Sequence, residues 1–275
     1  MPAWRCTAEA LQHGSSSKAM NSAAHPGHTQ GEATKGLETR GLSKQFGGIY
    51  AVRDVSIRIG DGEIVGLIGP NGAGKTSLMN LISGVLRCDS GEILVDGDNV
   101  EGLSTARRAQ RGIARTFQNI RVFTHLDVRQ NVQVAHTTAL RHRGGDDGGD
   151  TIEAILEELG LARHAGQRAG TLPYGTQRRL EIARALALRP RVLMLDEPAA
   201  GMNEQETQAL MASIRALSRR HRLGVVVIDH DLRFIMQLCE RIYVMHMGEI
   251  IAHDAPEAIR RDPEVQEVYL GGRRG

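Results

Sequence analysis

The stretch Ile64-Val65-Gly66-Leu67-Ile68-Gly69-Pro70-Asn71-Gly72-Ala73-Gly74-Lys75-Thr76 decides the fold. An apolar run of strand length stops at Ile68. Gly69 to Thr76 then fits GxxxxGK[ST], and Leu78, Leu81, Ile82 and Val85 follow at helical spacing. Glycines permit the backbone angles that turn several N–H groups onto phosphate oxygens, and a helix N-terminus adds the positive end of its dipole. Gly69, Pro70, Asn71, Gly72, Ala73, Gly74, Lys75, Thr76 and Ser77 are the expected phosphate-binding residues. Lys75 is expected to reach the β and γ phosphates and Thr76 to bind Mg²⁺. By itself this loop specifies a nucleoside triphosphate or a relative of one.

Downstream, Val192-Leu193-Met194-Leu195 runs into Asp196-Glu197. Four apolar residues ahead of two acids describe a buried strand that delivers carboxylates to the end of a parallel sheet, where ligands bind. Asp196 is the natural magnesium partner, and Glu197, one residue on, is placed to orient and deprotonate a water. Other strands are expected at Val55–Ile59, which alternates apolar and polar, at Glu63–Ile68, at Gly91–Val95 before an Asp96-Gly97 turn, and at Val225–Ile228 after Gly224. Helices are expected from Ile152 to Leu159, capped by Thr151 or Asp150 and stopped by Gly160, and from about Gln205 to Arg220. Arg178 to Leu188 gives a third, and a glycine-rich charged loop is expected over Arg141–Asp150. Alternating strands and helices predict a largely parallel α/β core.

Composition removes other classes. The 275 residues carry 34 Lys and Arg against 32 Asp and Glu, a formal charge of +2, with one Trp, four Tyr and four Phe. A nucleic-acid partner calls for a basic excess or stacking aromatics, so none is expected. No apolar run approaches the length of a membrane span, and no secretory h-region follows Arg5. Cys6, Cys88 and Cys239 form neither a disulfide framework nor a zinc motif, which suits a reducing cytoplasm. Residues 1–35, rich in Ser, Ala, Gly and His, read as a disordered polar tail or as the product of a start codon placed too far upstream.

Five segments occur together in the order and at the spacing of an ABC-transporter ATPase subunit. They are the phosphate loop, Gln118 in Arg115-Thr116-Phe117-Gln118, Leu172-Pro173-Tyr174-Gly175-Thr176, Leu195-Asp196-Glu197-Pro198 and Asp229-His230-Asp231. The chain resembles that family over about Leu37 to Leu270, and within it most resembles the ATPases of high-affinity branched-chain amino-acid importers, through GIARTFQNIRVF, YGTQRRLEIARAL and LDEPAAGMN. Importers of urea and short amides share these features.

The resemblance implies a P-loop NTPase ABC cassette: a RecA-like core and antiparallel β subdomain over about 36–118 and 184–272, and a helical subdomain over about 119–183. It implies ATP and Mg²⁺ bound in a sandwich dimer, each nucleotide lying between the phosphate loop of one subunit and the signature segment of the other. Tyr174, Gly175 and Thr176 would then meet a partner's γ-phosphate from a helix N-terminus. His230 resembles the switch histidine that positions the water, and Gln118 the residue that touches Mg²⁺ and leads toward the membrane partner. Phe46, with Tyr50 as the other candidate, matches the aromatic that stacks on adenine for ~1–3 kcal/mol. The implied partners are transmembrane permease subunits, a second ATPase subunit in a heterodimer or a homodimer, and indirectly a periplasmic solute-binding protein. The implied place is the cytoplasmic face of a bacterial inner membrane. After Gln118, Asn119 to Leu126 sets apolar residues among polar ones, as a groove for a short permease helix would.

Two positions depart from the family pattern. Pro173 stands where the signature serine would bond the γ-phosphate, which removes one donor, and Asn203 stands where an aspartate is expected six residues after Glu197. Alternative assignments are lipopolysaccharide export, an ABC ATPase acting on nucleic acid or ribosomes, and a P-loop kinase. The single cassette and the absence of a long coiled-coil insertion weigh against the second, and the signature and switch histidine weigh against the third.

Overall fold

The computed structural model describes residues 35–142 and 151–270. In chain order the described strands and helices are β1 (Gly36–Phe46), β2 (Ile49–Val55), β3 (Arg58–Gly60), β4 (Ile64–Ile68), α1 (Lys75–Ser83), β5 (Ser90–Val95), β6 (Asp98–Asn99), α2 (Thr105–Gln110), β7 (Ile113–Arg115), α3 (Val128–His142) and α4 (Ile152–Glu158). They continue as α5 (Tyr174–Ala187), β8 (Val192–Asp196), α6 (Glu204–His221), β9 (Gly224–Ile228), α7 (Leu232–Leu238), β10 (Arg241–His246), β11 (Glu249–Asp254), α8 (Pro256–Arg261) and α9 (Pro263–Leu270).

One sheet runs β11-β10-β4-β9-β8-β7, parallel from β10 to β7 with β11 antiparallel at the edge. A second, antiparallel sheet runs β2-β1-β5-β6, with β3 also on β1. The continuous apolar runs of the central strands follow from burial on both faces. Ile64, Leu193, Leu195, Val225 and Val227 pack into one core with α5, α6 and α7. Val65, Leu67, Val192, Met194, Val226 and Ile228 point the other way, into a core shared with α1 and the antiparallel sheet. The period of two sorts each strand between the cores, and each fully buried aliphatic side chain contributes ~1.5–3 kcal/mol.

Several sequence expectations need correction. Val55 to Ile59 alternates in burial as expected but is two strands: β2 ends at Val55 and β3 starts at Arg58. Ser56 between them gives its hydroxyl to the backbone N–H of Gly41 as acceptor, 2.9 Å, instead of continuing one ladder. Val85 does not extend α1: Gly84 caps the helix in the left-handed region at φ 76°, and Val85 is exposed. Arg141 belongs to α3 and is not loop, while 143–150, and Asp150 with them, lie outside the described residues, as does Cys6. Thr151 is the cap of α4, accepting from the Ala154 N–H, and Gly160 turns the chain at φ 63°. Helix α5 starts at Tyr174, four residues earlier than its apolar face suggests, with Pro173 at the N-cap.

Candidate active site

The phosphate loop joins β4 to α1 at the C-terminal edge of the parallel sheet. Gly69 has φ 152° and Gly74 φ 105°; a Cβ on the first would lie 2.1 Å from the Met245 carbonyl oxygen, and on the second 2.2 Å from that of Ala51. Both positions therefore demand glycine, by conformation and by space. The loop packs against β2 and the β10–β11 turn, where the Gly248 N–H donates to the Ala73 carbonyl at 2.9 Å. First-turn N–H groups of α1 have no acceptor within the helix, which makes them available donors for an anion.

Around the loop lies a cleft of about 330 Å³ lined by Ala51, Asn71, Gly72, Ala73, Gly74, Lys75, Thr76, Ser77, Gln118, Asp196, Glu197, Ile228 and His230. Sequence elements up to 179 residues apart thus converge on one site, between Ala51 and His230. Lys75 folds over the loop, its Nζ donating to the Gly69 carbonyl at 2.6 Å and the Pro70 carbonyl at 3.0 Å. Burial lowers its pKa, against the pull of Glu197 and Asp196, so the ammonium is held by acceptors that a phosphate can replace.

Glu197 is clasped from both sides. Gln118 Nε2 donates to Oε2 at 3.0 Å, and His230 Nε2 lies 2.8 Å from Oε1. Its backbone sits at φ 48°, where non-glycine residues are uncommon and cost ~1–3 kcal/mol, and its N–H donates to the Ile228 carbonyl at 2.7 Å. That turn at the end of β8 aims the carboxylate into the cleft beside the Asp196 carboxylate. Asp229 ties the neighbouring loops together: Oδ2 accepts from the Ala199 N–H at 3.3 Å and Oδ1 from the Asp231 N–H at 2.9 Å, with burial raising its pKa.

Thr76, Gln118 and Asp196 share the cleft and offer a hydroxyl, an amide carbonyl and a carboxylate. That all-oxygen set suits Mg²⁺, which is held by one or two carboxylates together with substrate phosphates. Among the described residues no group of three or more His, Cys, Asp or Glu forms a closed metal cage.

Tyr174, Gly175 and Thr176 sit in the first turn of α5, as expected, but they are not among the residues lining this cleft. Gly175 faces Glu206, whose Oε1 would be 3.2 Å from an added Cβ, and Tyr174 is half exposed against Gly201. Phe46 and Tyr50 both stand exposed on the β1–β2 hairpin, capped by Lys44 and Arg53 at 5.5 and 5.4 Å from the ring centres, and neither lines the cleft. Asn203 is the N-cap of α6: its side chain accepts from the Glu206 N–H and the Glu206 carboxylate accepts from the Asn203 N–H, a capping box.

Three further residues hold the segment that carries Gln118. The guanidinium of Arg178, fully buried on α5, donates to the carbonyls of Phe117 at 2.6 Å and Gln118 at 2.8 Å. Glu181, one turn on, pairs with Arg178 at 2.8 Å and accepts from the N–H groups of Phe117 and Arg121 at 3.3 and 3.2 Å. Arg184 completes the stripe by donating to the Arg121 carbonyl and covering the Phe123 ring. Helix α5 and the segment from Phe117 to Phe123 are therefore tied together by these contacts.

Comparison with known proteins settles the family. Residues 52–200 match the ABC transporter family model, and residues 249–274 match that of the branched-chain amino acid ATP-binding cassette transporter. The chain belongs to the ATP-binding domains of ABC transporters. This ABC cassette is 41% identical over 249 residues to the high-affinity branched-chain amino acid transport ATP-binding protein BraF of Pseudomonas aeruginosa, covering 86% of this chain and 97% of BraF. It is 40% identical over 248 residues to LivG of Escherichia coli K12, which bears the same description, with the same coverage. Its fold resembles the crystal structure of the ADP conformation of MJ1267, an ATP-binding cassette of an ABC transporter, with a TM-score of 0.76 and 28% identity over 86% of this chain and 99% of that one. The cassette is thus an ATP-binding domain of a family that hydrolyses ATP, and no helix among the described residues is long and apolar enough to cross a membrane.

Proposed function

We propose that this cassette hydrolyses ATP to drive uptake of branched-chain amino acids through separate transmembrane permease subunits, at the cytoplasmic face of a bacterial inner membrane. The observation that carries the chemistry is the clasp on Glu197. A carboxylate held by Gln118 and His230 at the end of β8, beside the phosphate loop, is oriented as the acceptor for the proton of an attacking water. Lys75 leaves the Gly69 and Pro70 carbonyls to meet the phosphates, and loop N–H groups hold their oxygens. His230 steadies both the carboxylate and the γ-phosphate. Mg²⁺, held by Thr76, Asp196 and Gln118, would supply positive charge to the phosphates. Phe46 or Tyr50 supplies the stacking face for adenine.

The amino-acid assignment rests on BraF and LivG and on the match over residues 249–274. The subdomains divide at about 36–118 with 184–272, and 119–183. Tyr174, Gly175 and Thr176 serve the nucleotide on a second ATPase subunit, because each nucleotide of a sandwich dimer needs a helix N-terminus from across the interface. Co-purification with a permease and its solute receptor, followed by binding assays on that receptor, tests the assignment. A receptor that binds leucine, isoleucine or valine is expected, and one that prefers urea or an amide would overturn the amino-acid reading.

Pro173 offers the γ-phosphate neither hydroxyl nor N–H. A bond to a charged phosphate contributes ~1.5–3 kcal/mol, so the site completed by this signature should hold ATP about ten-fold or more less tightly than one completed by serine. The subunit therefore works in a heterodimer with unequal sites. Separate turnover rates for the two sites of the purified pair check this, and equal rates would contradict it.

A further inference from the structure

Arg115 is the last residue of β7, in register with Met194 of β8, and its guanidinium is buried. One arm donates to Asp196 Oδ2 at 2.9 Å; the side chains of this pair are 6% and 10% exposed. The other arm donates to Asn80 Oδ1 at 2.6 Å, with Ser83 Oγ at 3.4 Å, both on α1. Phe117 closes one side, its ring centre 5.2 Å from the guanidinium carbon, and Nε is buried without a hydrogen-bond partner. The cation is thus anchored by neutral groups on α1 and spends its charge on the one carboxylate that the magnesium reading assigns as metal ligand.

We propose that Arg115 is a positioning residue that sets the metal affinity of the cleft: by offsetting the charge of Asp196 it makes the cleft a poor site for a free divalent cation, so that metal is taken up only together with a triphosphate. An oxygen bonded to a guanidinium is a weaker donor to a second cation, and a full positive charge this near repels one. A triphosphate brings several negative charges of its own and restores the balance. The cleft then does not fill with free metal between cycles, and Asp196 stays aimed by β7 and α1 throughout. This inference rests on the reading of the cleft as an ATP and magnesium site.

The test is titration of the purified protein with Mn²⁺, followed by electron paramagnetic resonance, with and without ATP. Without nucleotide, Arg115→Gln is expected to bind Mn²⁺ at least about ten-fold more tightly than wild type, since an adjacent arginine shifts a carboxylate's proton affinity by a comparable factor. Arg115→Lys keeps the charge and is expected to stay near wild type. Asn80→Asp keeps the buried arginine in place and gives it a second carboxylate to share its charge with, so it is expected to tighten Mn²⁺ binding as Arg115→Gln does, and it decides the question if the glutamine variant does not fold. With ATP present the three variants should differ little from wild type. Unchanged free-metal affinity in the folded neutral variant or in Asn80→Asp overturns the proposal and leaves Arg115 a purely structural link. A wild-type protein that takes up no Mn²⁺ even with ATP overturns instead the reading of the cleft on which the proposal stands.

Discussion

Replacing Glu197 with glutamine is expected to lower ATP turnover at least about 100-fold while ATP binding persists, because general-base catalysis by a positioned side chain contributes that much or more. The two functions separate physically. In the proposed mechanism the phosphates are held by the loop N–H groups and Lys75, none of which the substitution touches, whereas the proton of the attacking water has Glu197 as its acceptor. Glutamine matches the shape of glutamate but offers one oxygen instead of two. It cannot accept from Gln118 and His230 at once with carboxylate oxygens, as Glu197 does at 3.0 and 2.8 Å. Steady-state phosphate release beside equilibrium ATP binding checks the separation. Turnover within a few-fold of wild type would show that another group takes the proton.

Breaking the buried pair on α5 is the second large effect. Glu181→Gln leaves the fully buried Arg178 guanidinium without its counter-charge, and removing one partner of such a pair costs ~3–5 kcal/mol. For a domain of this size that corresponds to a fall in melting temperature of about 6–20 °C. Burial already pushes the Glu181 carboxyl pKa up, with Arg178 opposing it, so the charge is held in place by that one partner and two backbone N–H groups. The loss should also reach catalysis, since the same pair fixes the backbone of Phe117 and Gln118. Calorimetry on wild type and variant gives the first number and turnover the second. A shift under about 2 °C would mean that solvent reaches the pair and that the clamp contributes little.

What was legible in the sequence follows from the kind of force involved. Strands β4, β8 and β9 were readable because burial on both faces forces continuous apolar runs, and α4 because Thr151 and Gly160 mark its ends chemically. The phosphate loop, Asp196, Glu197, Gln118 and His230 are readable as motifs, and the fold brings Asn71 to Ser77 of the loop and the other four into one cleft, while Gly69 and Pro70 lie behind it as acceptors for Lys75. Arg115, Arg178, Glu181 and Asp229 were not assigned roles. A charged residue is ordinarily solvated, and nothing local says that its partner lies 81 residues away, as for Arg115 and Asp196, or 61, as for Arg178 and the Phe117 carbonyl. Asn203 carries a local signal: Asn203-x-x-Glu206 ahead of an amphipathic run is a capping box. The late start of the α5 expectation has a cause of its own. Tyr174, Gly175 and Thr176 bring no apolar periodicity, so the first turn, which would face the second nucleotide, was invisible to a hydrophobic count.

In the proposed function, hydrolysis at this cleft powers movement of a branched-chain amino acid through a permease made by other chains. This coupling is tested most directly by uptake of labelled leucine into vesicles holding the co-purified permease and this subunit, with ATP on the side of the subunit and the solute receptor on the other. Uptake that requires ATP and disappears with Glu197→Gln in this chain is the expected result. Uptake of the same rate with the variant, or ATP hydrolysis that never moves leucine, would contradict it.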